Sequence, residues 1–123
     1  MTHILVIEDE DQVRSFLHKI LEQEGYEVSD APNGAVGMKI QRESPAELII
    51  TDIIMPEKEG IEIIMEIKKD FPGTKIIAIS GGGQAGINTY LDMAKKLGAH
   101  SVLAKPFEIK EIISETNRLL EKT

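Results

Sequence analysis

Several polar side chains suited to phosphate chemistry each follow a short apolar run of this sequence. They are Glu8 and Asp9, then Asp52, Ser80 and Lys105. Crowded carboxylates repel one another and raise one another's pKa values unless a cation lies between them. Hard oxygen ligands with open positions suit Mg²⁺, which also binds phosphate oxygens. With a metal, an ammonium and a hydroxyl to neutralise charge, Asp52 can act as a nucleophile and become an aspartyl phosphate.

The apolar pattern predicts the elements that carry these side chains. Short runs rich in β-branched residues are typical of strands, and apolar residues at helical spacing follow each of them. The predicted strands are 4–7, 26–31, 48–50, 75–80 and 101–104. This alternation of strand and helix indicates βαβ units and an α/β fold: a doubly wound parallel sheet of five strands with helices on both faces.

Turn and capping residues set the expected boundaries. Asp11 is expected to cap the first helix, and Gly25 to end it. The helix after Asn33 is expected to be short, and a further helix is expected to begin at Ile61. The glycine run 81–83 after the fourth strand is expected to form a flexible hinge.

Ligands of parallel sheets bind at the carboxyl edge, where the strand order reverses. In the flavodoxin-like order 2-1-3-4-5, this point lies between the first and third strands, so Glu8, Asp9 and Asp52 are expected to meet there. Ser80 arrives from the fourth strand and Lys105 from the fifth, and the second strand is expected to supply no polar group. The pattern therefore predicts a site at which Asp52 is phosphorylated.

Length and composition limit the class of protein. The chain has 123 residues, which fits one domain spanning 1–123, and it has no cysteine, so disulfides and thiolate metal sites are excluded. The net charge of −7 disfavours direct binding of nucleic acid. No apolar run approaches the roughly 20 residues that span a bilayer, so no membrane partner is expected, and a cytoplasmic location is the default expectation.

From end to end, the sequence resembles the receiver domain of two-component response regulators, in particular the chemotaxis regulators. The matching residues are Glu8-Asp9, Asp52 with Met55, Pro56 and Gly60 after it, Ser80-Gly81, and Lys105-Pro106-Phe107. Each motif is weak alone, but together, in this order and after these strands, they are specific. A chemotaxis member of this family is itself a standard example of the order 2-1-3-4-5.

The resemblance implies a metal site for Mg²⁺ and a role for each ligand. Asp9 and Asp52 would bind the ion directly, and Glu8 would act largely through water. The backbone carbonyl of Ile54 would complete the protein ligands.

The resemblance also implies the phosphoryl donor and the groups that hold the phosphoryl oxygens. Asp52 would take the phosphoryl group from a phosphohistidine of a sensor histidine kinase or a histidine phosphotransfer protein. Ser80 and Lys105 would bind the phosphoryl oxygens, and the peptide between Lys105 and Pro106 would be cis. The protein would assist its own phosphorylation and dephosphorylation without being a turnover enzyme.

The function implied is a phosphorylation-dependent signalling switch. Phosphorylation would change the surface around the fourth helix, the fifth strand and the fifth helix, and a protein target would read that change. No output domain is expected within 1–123, so the reader is expected to be a separate protein or an output domain of a longer chain.

Two departures from the family pattern concern switching and hydrolysis. Val102 stands where the family usually has a Tyr or Phe that turns inward on activation. Ile54 and Gly82 stand at positions that influence how water reaches the acyl phosphate, and neither side chain can orient water. Slow self-dephosphorylation is therefore predicted.

Other functions remain open at this stage. Val102 keeps open a degenerate receiver that acts as a constitutive protein-interaction module. A haloacid dehalogenase phosphatase would need a second Asp where Ile54 stands, so it is disfavoured. A flavin carrier would need hydroxyls and backbone donors where the acidic run 8–11 stands.

Overall fold

A computed structural model describes residues 2–53, 59–80 and 87–121, without the side chains of residues 59 and 87–91. Strands and helices alternate through these ranges. The elements are β1 His3–Ile7, α1 Asp11–Gln23, β2 Glu27–Ala31, α2 Gly34–Glu43, β3 Leu48–Asp52, α3 Glu59–Asp70, β4 Lys75–Ser80, α4 Ile87–Leu97, β5 Ser101–Ala104 and α5 Ile109–Leu119. No helix within the described ranges is long and apolar enough to cross a membrane.

The strands form one parallel sheet in the order β2-β1-β3-β4-β5, which confirms the predicted fold. In the register, Ile7 is paired with Thr51, and Asp52 with Ile79. Ser80 is paired with Ala104. The ends of β1, β3, β4 and β5 therefore lie side by side at one edge of the sheet.

Helices cover both faces of the sheet because alternate strand residues point to opposite faces. One core contains Leu5 and Ile7 of β1 and packs against α2, α3 and α4 through Met38, Ile64 and Ala94. The other core contains Ile4 and Val6 of β1 and packs against α1 and α5. Its helical members include Leu17, Leu21 and Ile112. The central strands are apolar on both faces, as buried parallel strands require.

Element boundaries agree with the predictions at some ends and differ at others. Gly25 follows α1 with a φ of 94°, a conformation that glycine adopts without strain. The prediction that Asp11 caps α1 is wrong, because the extended residue before the helix is Glu10. Asp11 is the first helical residue, and its carboxylate pairs with Arg14 at 2.6 Å instead. Helix α3 begins at Glu59 rather than Ile61. The predicted hinge at 81–83 lies outside the described residues.

Candidate functional site

Asp52 is the last residue of β3 and occupies the middle of the carboxyl edge. Its neighbours in the sheet are β1 on one side and β4 on the other. The residue is 3% exposed. Its Oδ2 atom accepts a hydrogen bond of 2.9 Å from the ammonium of Lys105. The sheet thus holds this carboxylate in a nearly dry position beside a cation.

Lys105 connects the acidic residues of the site. It follows β5, and its backbone N–H donates to the carbonyl of Ser80 at 2.7 Å. Its ammonium lies 2.8 Å from Glu8 Oε1, 2.9 Å from Asp52 Oδ2 and 3.1 Å from Glu10 Oε1. Burial disfavours the ammonium, but hydrogen bonds with Glu8 and Asp52 raise the pKa of Lys105 above its ordinary value. Lys105 therefore stays charged and neutralises part of the acidic cluster.

Glu8 is the most deeply buried carboxylate of the site, with no exposed surface. Burial raises the pKa of Glu8 to about 7; the Asp52 carboxylate adds to the rise, and Lys105 opposes it. Its Oε1 atom accepts from Lys105 and from the backbone N–H of Glu10. Its Oε2 atom is buried and accepts no hydrogen bond from the described part of the chain. A buried oxygen of this kind suits a bound cation, since burial without a partner is costly.

Three carboxylates could hold that cation together. One oxygen from each of Glu8, Glu10 and Asp52 lies within 4.8 Å of the others. An all-oxygen donor set of this size fits Mg²⁺, which keeps several waters among its ligands. Asp9, predicted as a direct ligand, is exposed and lies outside this group. Its role stays a prediction, as does that of the Ile54 carbonyl, which falls outside the described residues.

Sequence reasoning missed Glu10. The residue precedes α1 in an extended conformation, with φ −82° and ψ 116°. Its carboxylate lies 3.1 Å from the Lys105 ammonium, which also contacts Glu8, so Glu10 joins Glu8 at the site. The sign of Glu10 in the sequence is the acidic run 8–11.

Ser80 ends β4 next to Lys105. The residue is wholly buried, and its hydroxyl has no hydrogen-bond partner among the described residues. A buried hydroxyl without a partner is free to bind an oxygen that arrives at the sheet edge. The peptide between Lys105 and Pro106 is cis, as the resemblance implied. Val102 is half-buried and packs against the core on the α2, α3 and α4 face.

Gly60 allows α3 to approach the end of β3. A Cβ atom at this position would lie 2.4 Å from the carbonyl oxygen of Asp52 and 2.3 Å from the Cα atom of Ile53. Both of these atoms belong to the backbone, so they cannot swing aside. Gly60 is thus required by the close contact between the helix and the strand end that carries Asp52.

The second strand ends on the apolar Ala31 and touches the site only indirectly, through Asp30 and Arg14. Asp30 lies one residue before the end of β2, and its Oδ1 atom is 3.8 Å from the Nε atom of Arg14. The same guanidinium donates a hydrogen bond of 2.8 Å to the backbone carbonyl of Glu8. Sequence patterns gave no sign of this contact, because it depends on how α1 packs beside β2.

Known proteins resemble this chain in both sequence and structure. The family model of the response regulator receiver domain matches residues 4–117. The response regulator receiver protein CpdR of Brucella abortus is 36% identical, over 98% of this chain and 98% of that protein. The crystal structure of the receiver domain of NtrX from Brucella abortus superposes with a TM-score of 0.88. It is 30% identical, over 98% of this chain and 99% of that one.

Some relatives are much longer than this chain. The DNA-binding transcriptional regulator NtrC of Azospirillum brasilense is 35% identical over 95% of this chain, which spans only 24% of that protein. The similarity to such proteins concerns one domain of each.

Proposed function

Because the chain belongs to the response regulator receiver domain family, we propose that Asp52 is the phosphoacceptor of its signalling switch. The contact of Asp52 with Lys105 carries this proposal. Asp52 is a nearly dry carboxylate at the end of a central strand, with an ammonium 2.9 Å from one oxygen. A nucleophile in this position attacks phosphorus beside a cation that is already in place, so little reorganisation is needed.

Mg²⁺ is the cofactor that the donor set fits. Asp52 and Glu8 would hold it, with Asp9, Glu10 and the carbonyl of Ile54 as the further protein groups at this edge. When bound, the ion neutralises the carboxylates and the developing charge on the phosphoryl oxygens. Glu8 and Asp52 supply the negative charge that attracts the ion to this edge of the sheet.

The transfer itself needs few groups. A carboxylate oxygen of Asp52 attacks the phosphorus of a phosphohistidine, the P–O bond forms, and the P–N bond breaks. The electron pair of that bond stays with the departing imidazole nitrogen, which then takes a proton. Lys105 shifts its ammonium from the carboxylate to a phosphoryl oxygen, and the Ser80 hydroxyl donates to another. Both donors are at the edge before the reaction, which lowers its entropic cost.

The product changes the surface of the domain. An acyl phosphate at Asp52 adds charge and acceptor oxygens that draw Ser80 and Lys105 inward. Ser80 ends β4 and Lys105 follows β5, so their movement is passed to α4, β5 and α5. A protein target would read that face, and the phosphoryl donor would be a sensor histidine kinase or a histidine phosphotransfer protein. The phosphoryl group derives from the ATP that a sensor kinase uses, so we also propose a cytoplasmic location.

Intact mass spectrometry tests the acceptor. Purified protein is incubated with Mg²⁺ and acetyl phosphate, next to an Asp52→Asn variant and an Asp70→Asn control at the exposed end of α3. We expect one added phosphoryl group that requires Mg²⁺, persists in the control and is lost in the Asp52→Asn variant.

Absence of the adduct under conditions where Mg²⁺ binds would favour the second candidate, a constitutive protein-interaction module. The observation behind that alternative is Val102, a half-buried aliphatic residue with no ring to move between two positions.

A further inference from the structure

We propose that Arg14 and Asp30 act as a positioning pair that fixes Glu8 for metal binding. This inference rests on the proposed function and assigns a role in it to α1 and to the end of β2. Neither residue would bind the metal ion or accept the phosphoryl group. Arg14 acts through the backbone carbonyl of Glu8, and Asp30 acts through Arg14.

Glu8 is held at each of its polar groups except one. Its backbone N–H donates to the carbonyl of Ala31 at 3.0 Å, which ties it to the end of β2. Its backbone carbonyl accepts from Arg14 Nη1 at 2.8 Å. Its Oε1 atom accepts from Lys105 at 2.8 Å. The remaining polar atom is Oε2, which is buried and has no hydrogen-bond partner within the described ranges. The residue is thus fixed so that one oxygen stays available.

Arg14 is itself fixed from two sides. Its Nη2 atom donates to Asp11 Oδ1 at 2.6 Å, and its Nε atom lies 3.8 Å from Asp30 Oδ1. The side chain of Arg14 is only 17% exposed, whereas that of Asp11 is 85% exposed. The hydrogen bond to the exposed Asp11 contributes little. Asp30 lies beyond hydrogen-bond distance and attracts the guanidinium by its charge, from a less exposed position. The rigid guanidinium can contact Glu8 and Asp30 at once, which a lysine ammonium cannot do.

Asp30 is held in turn by His18. The Nδ1 atom of His18 lies 2.6 Å from Asp30 Oδ2, and its Nε2 atom lies 3.2 Å from Glu22 Oε2. The two oxygens of Asp30 therefore face two different residues of α1, namely Arg14 and His18. This pairing joins α1 to β2 next to the segment that carries Glu8.

Groups that orient a metal ligand affect metal affinity without touching the metal. Loss of such a group typically weakens binding by about 10- to 100-fold. We expect this range for Arg14→Met, which frees the Glu8 carbonyl. We expect a smaller loss for Asp30→Asn, because Arg14 keeps its contact with Glu8. The Mg²⁺ affinity of Arg14→Lys should lie between that of Arg14→Met and that of the unchanged protein.

Isothermal titration calorimetry with Mg²⁺ alone measures these affinities in the full chain. The matched control is Arg42→Met on α2, an exposed arginine that also bonds two carboxylates, Glu66 and Asp70. It should bind Mg²⁺ like the unchanged protein. Urea unfolding in EDTA checks that each variant is folded. If Arg14→Met fails to fold, Arg14→Lys and Asp30→Asn carry the same test.

A kinetic measurement separates positioning from general loss of structure. The rate of phosphorylation by acetyl phosphate is measured across Mg²⁺ concentrations. A positioning role predicts that Arg14→Met needs at least about 10 times more Mg²⁺ for the half-maximal rate and reaches a similar maximum. Wild-type affinity in Arg14→Met, or a lower maximum with unchanged Mg²⁺ dependence, would overturn the inference and leave the proposed function intact. Failure of the unchanged protein to bind Mg²⁺ would overturn both.

Discussion

Replacement of Lys105 by methionine should destabilise the metal-free protein strongly. Methionine has a similar length and no charge, so the change removes the ammonium and keeps most of the packing. The ammonium lies 2.8 Å from Glu8 and 2.9 Å from Asp52, whose side chains are 0% and 4% exposed. Both carboxylates would then be buried without their cation.

The expected loss in the free energy of unfolding follows from that burial. Removing one partner of a buried ion pair typically costs about 3–5 kcal/mol. The cost should be lower below pH 7, because Glu8, whose pKa is about 7 even with Lys105 lowering it, takes up a proton there and relieves the repulsion. We therefore expect a larger loss near pH 8 than near pH 6.

Urea unfolding in EDTA at these two pH values measures the loss. With a slope of about 2 kcal/mol per M, the midpoint should fall by roughly 1.5–2.5 M at the higher pH. Addition of Mg²⁺ should restore more stability to the variant than it gives the unchanged protein, since the ion replaces the lost cation. Lys39→Met, at an exposed position of α2, should change stability by no more than about 0.5 kcal/mol.

A loss below about 1 kcal/mol at pH 8 would refute this reasoning, because it would mean that the carboxylates do not depend on the ammonium. A loss that is equal at both pH values would show that Glu8 does not take up the proton.

Other predictions concern histidines, glycines and the lifetime of the phosphoryl group. Proton NMR should find the pKa of His18 above 6.5, because two hydrogen-bonded carboxylates outweigh its burial, and that of His100 below 6.5, because of its burial and nearby cations. His18 should therefore add stability that is lost as the pH rises through its pKa, whereas the contribution of His100 should be lost as the pH falls below 6.5. Unfolding of variants that carry an uncharged aromatic ring in place of each histidine, compared across pH, checks both signs. Gly60→Ala should cost about 1–3 kcal/mol in denaturant unfolding and slow phosphorylation, because its Cβ would strike backbone, whereas Gly73→Ala, with open space around it, should be nearly neutral. In purified protein the acyl phosphate at Asp52 should persist for longer than seconds, because neither Ile54 nor Gly82 can orient a water molecule for hydrolysis. Loss of the added mass within seconds would contradict this prediction.

The carboxyl edge of the sheet could be predicted from sequence because it depends on topology. Apolar runs and apolar residues at helical spacing predict five strands that alternate with helices. The order of the strands in the sheet then decides which strand ends meet. Glu8, Asp52, Ser80 and Lys105 each lie at or within two residues of the end of such a run, so their positions required no knowledge of side-chain packing. Their convergence in the structure is a consequence of parallel strands.

The remaining contacts depend on packing and could not be read in this way. Glu10 joins the carboxylates because α1 begins only at Asp11, which leaves Glu10 outside the helix with its carboxylate on the Lys105 ammonium. Arg14 reaches Glu8 and Asp30 through a long side chain on α1, and the reach of such a side chain depends on how the helix lies against the sheet. Periodicity identifies the buried face of a helix but not the partners of its flanking polar residues.

The most direct test of the central claim is to map the phosphorylated residue. After phosphorylation by acetyl phosphate with Mg²⁺, borohydride reduces an aspartyl phosphate to homoserine, and peptide sequencing by mass spectrometry locates it. We predict homoserine at position 52 alone, dependent on Mg²⁺ and absent when Mg²⁺ is removed by EDTA. Homoserine at Asp9 or at another aspartate with Asp52 unmodified would contradict the account, as would no reduction product in a sample whose intact mass shows the added phosphoryl group.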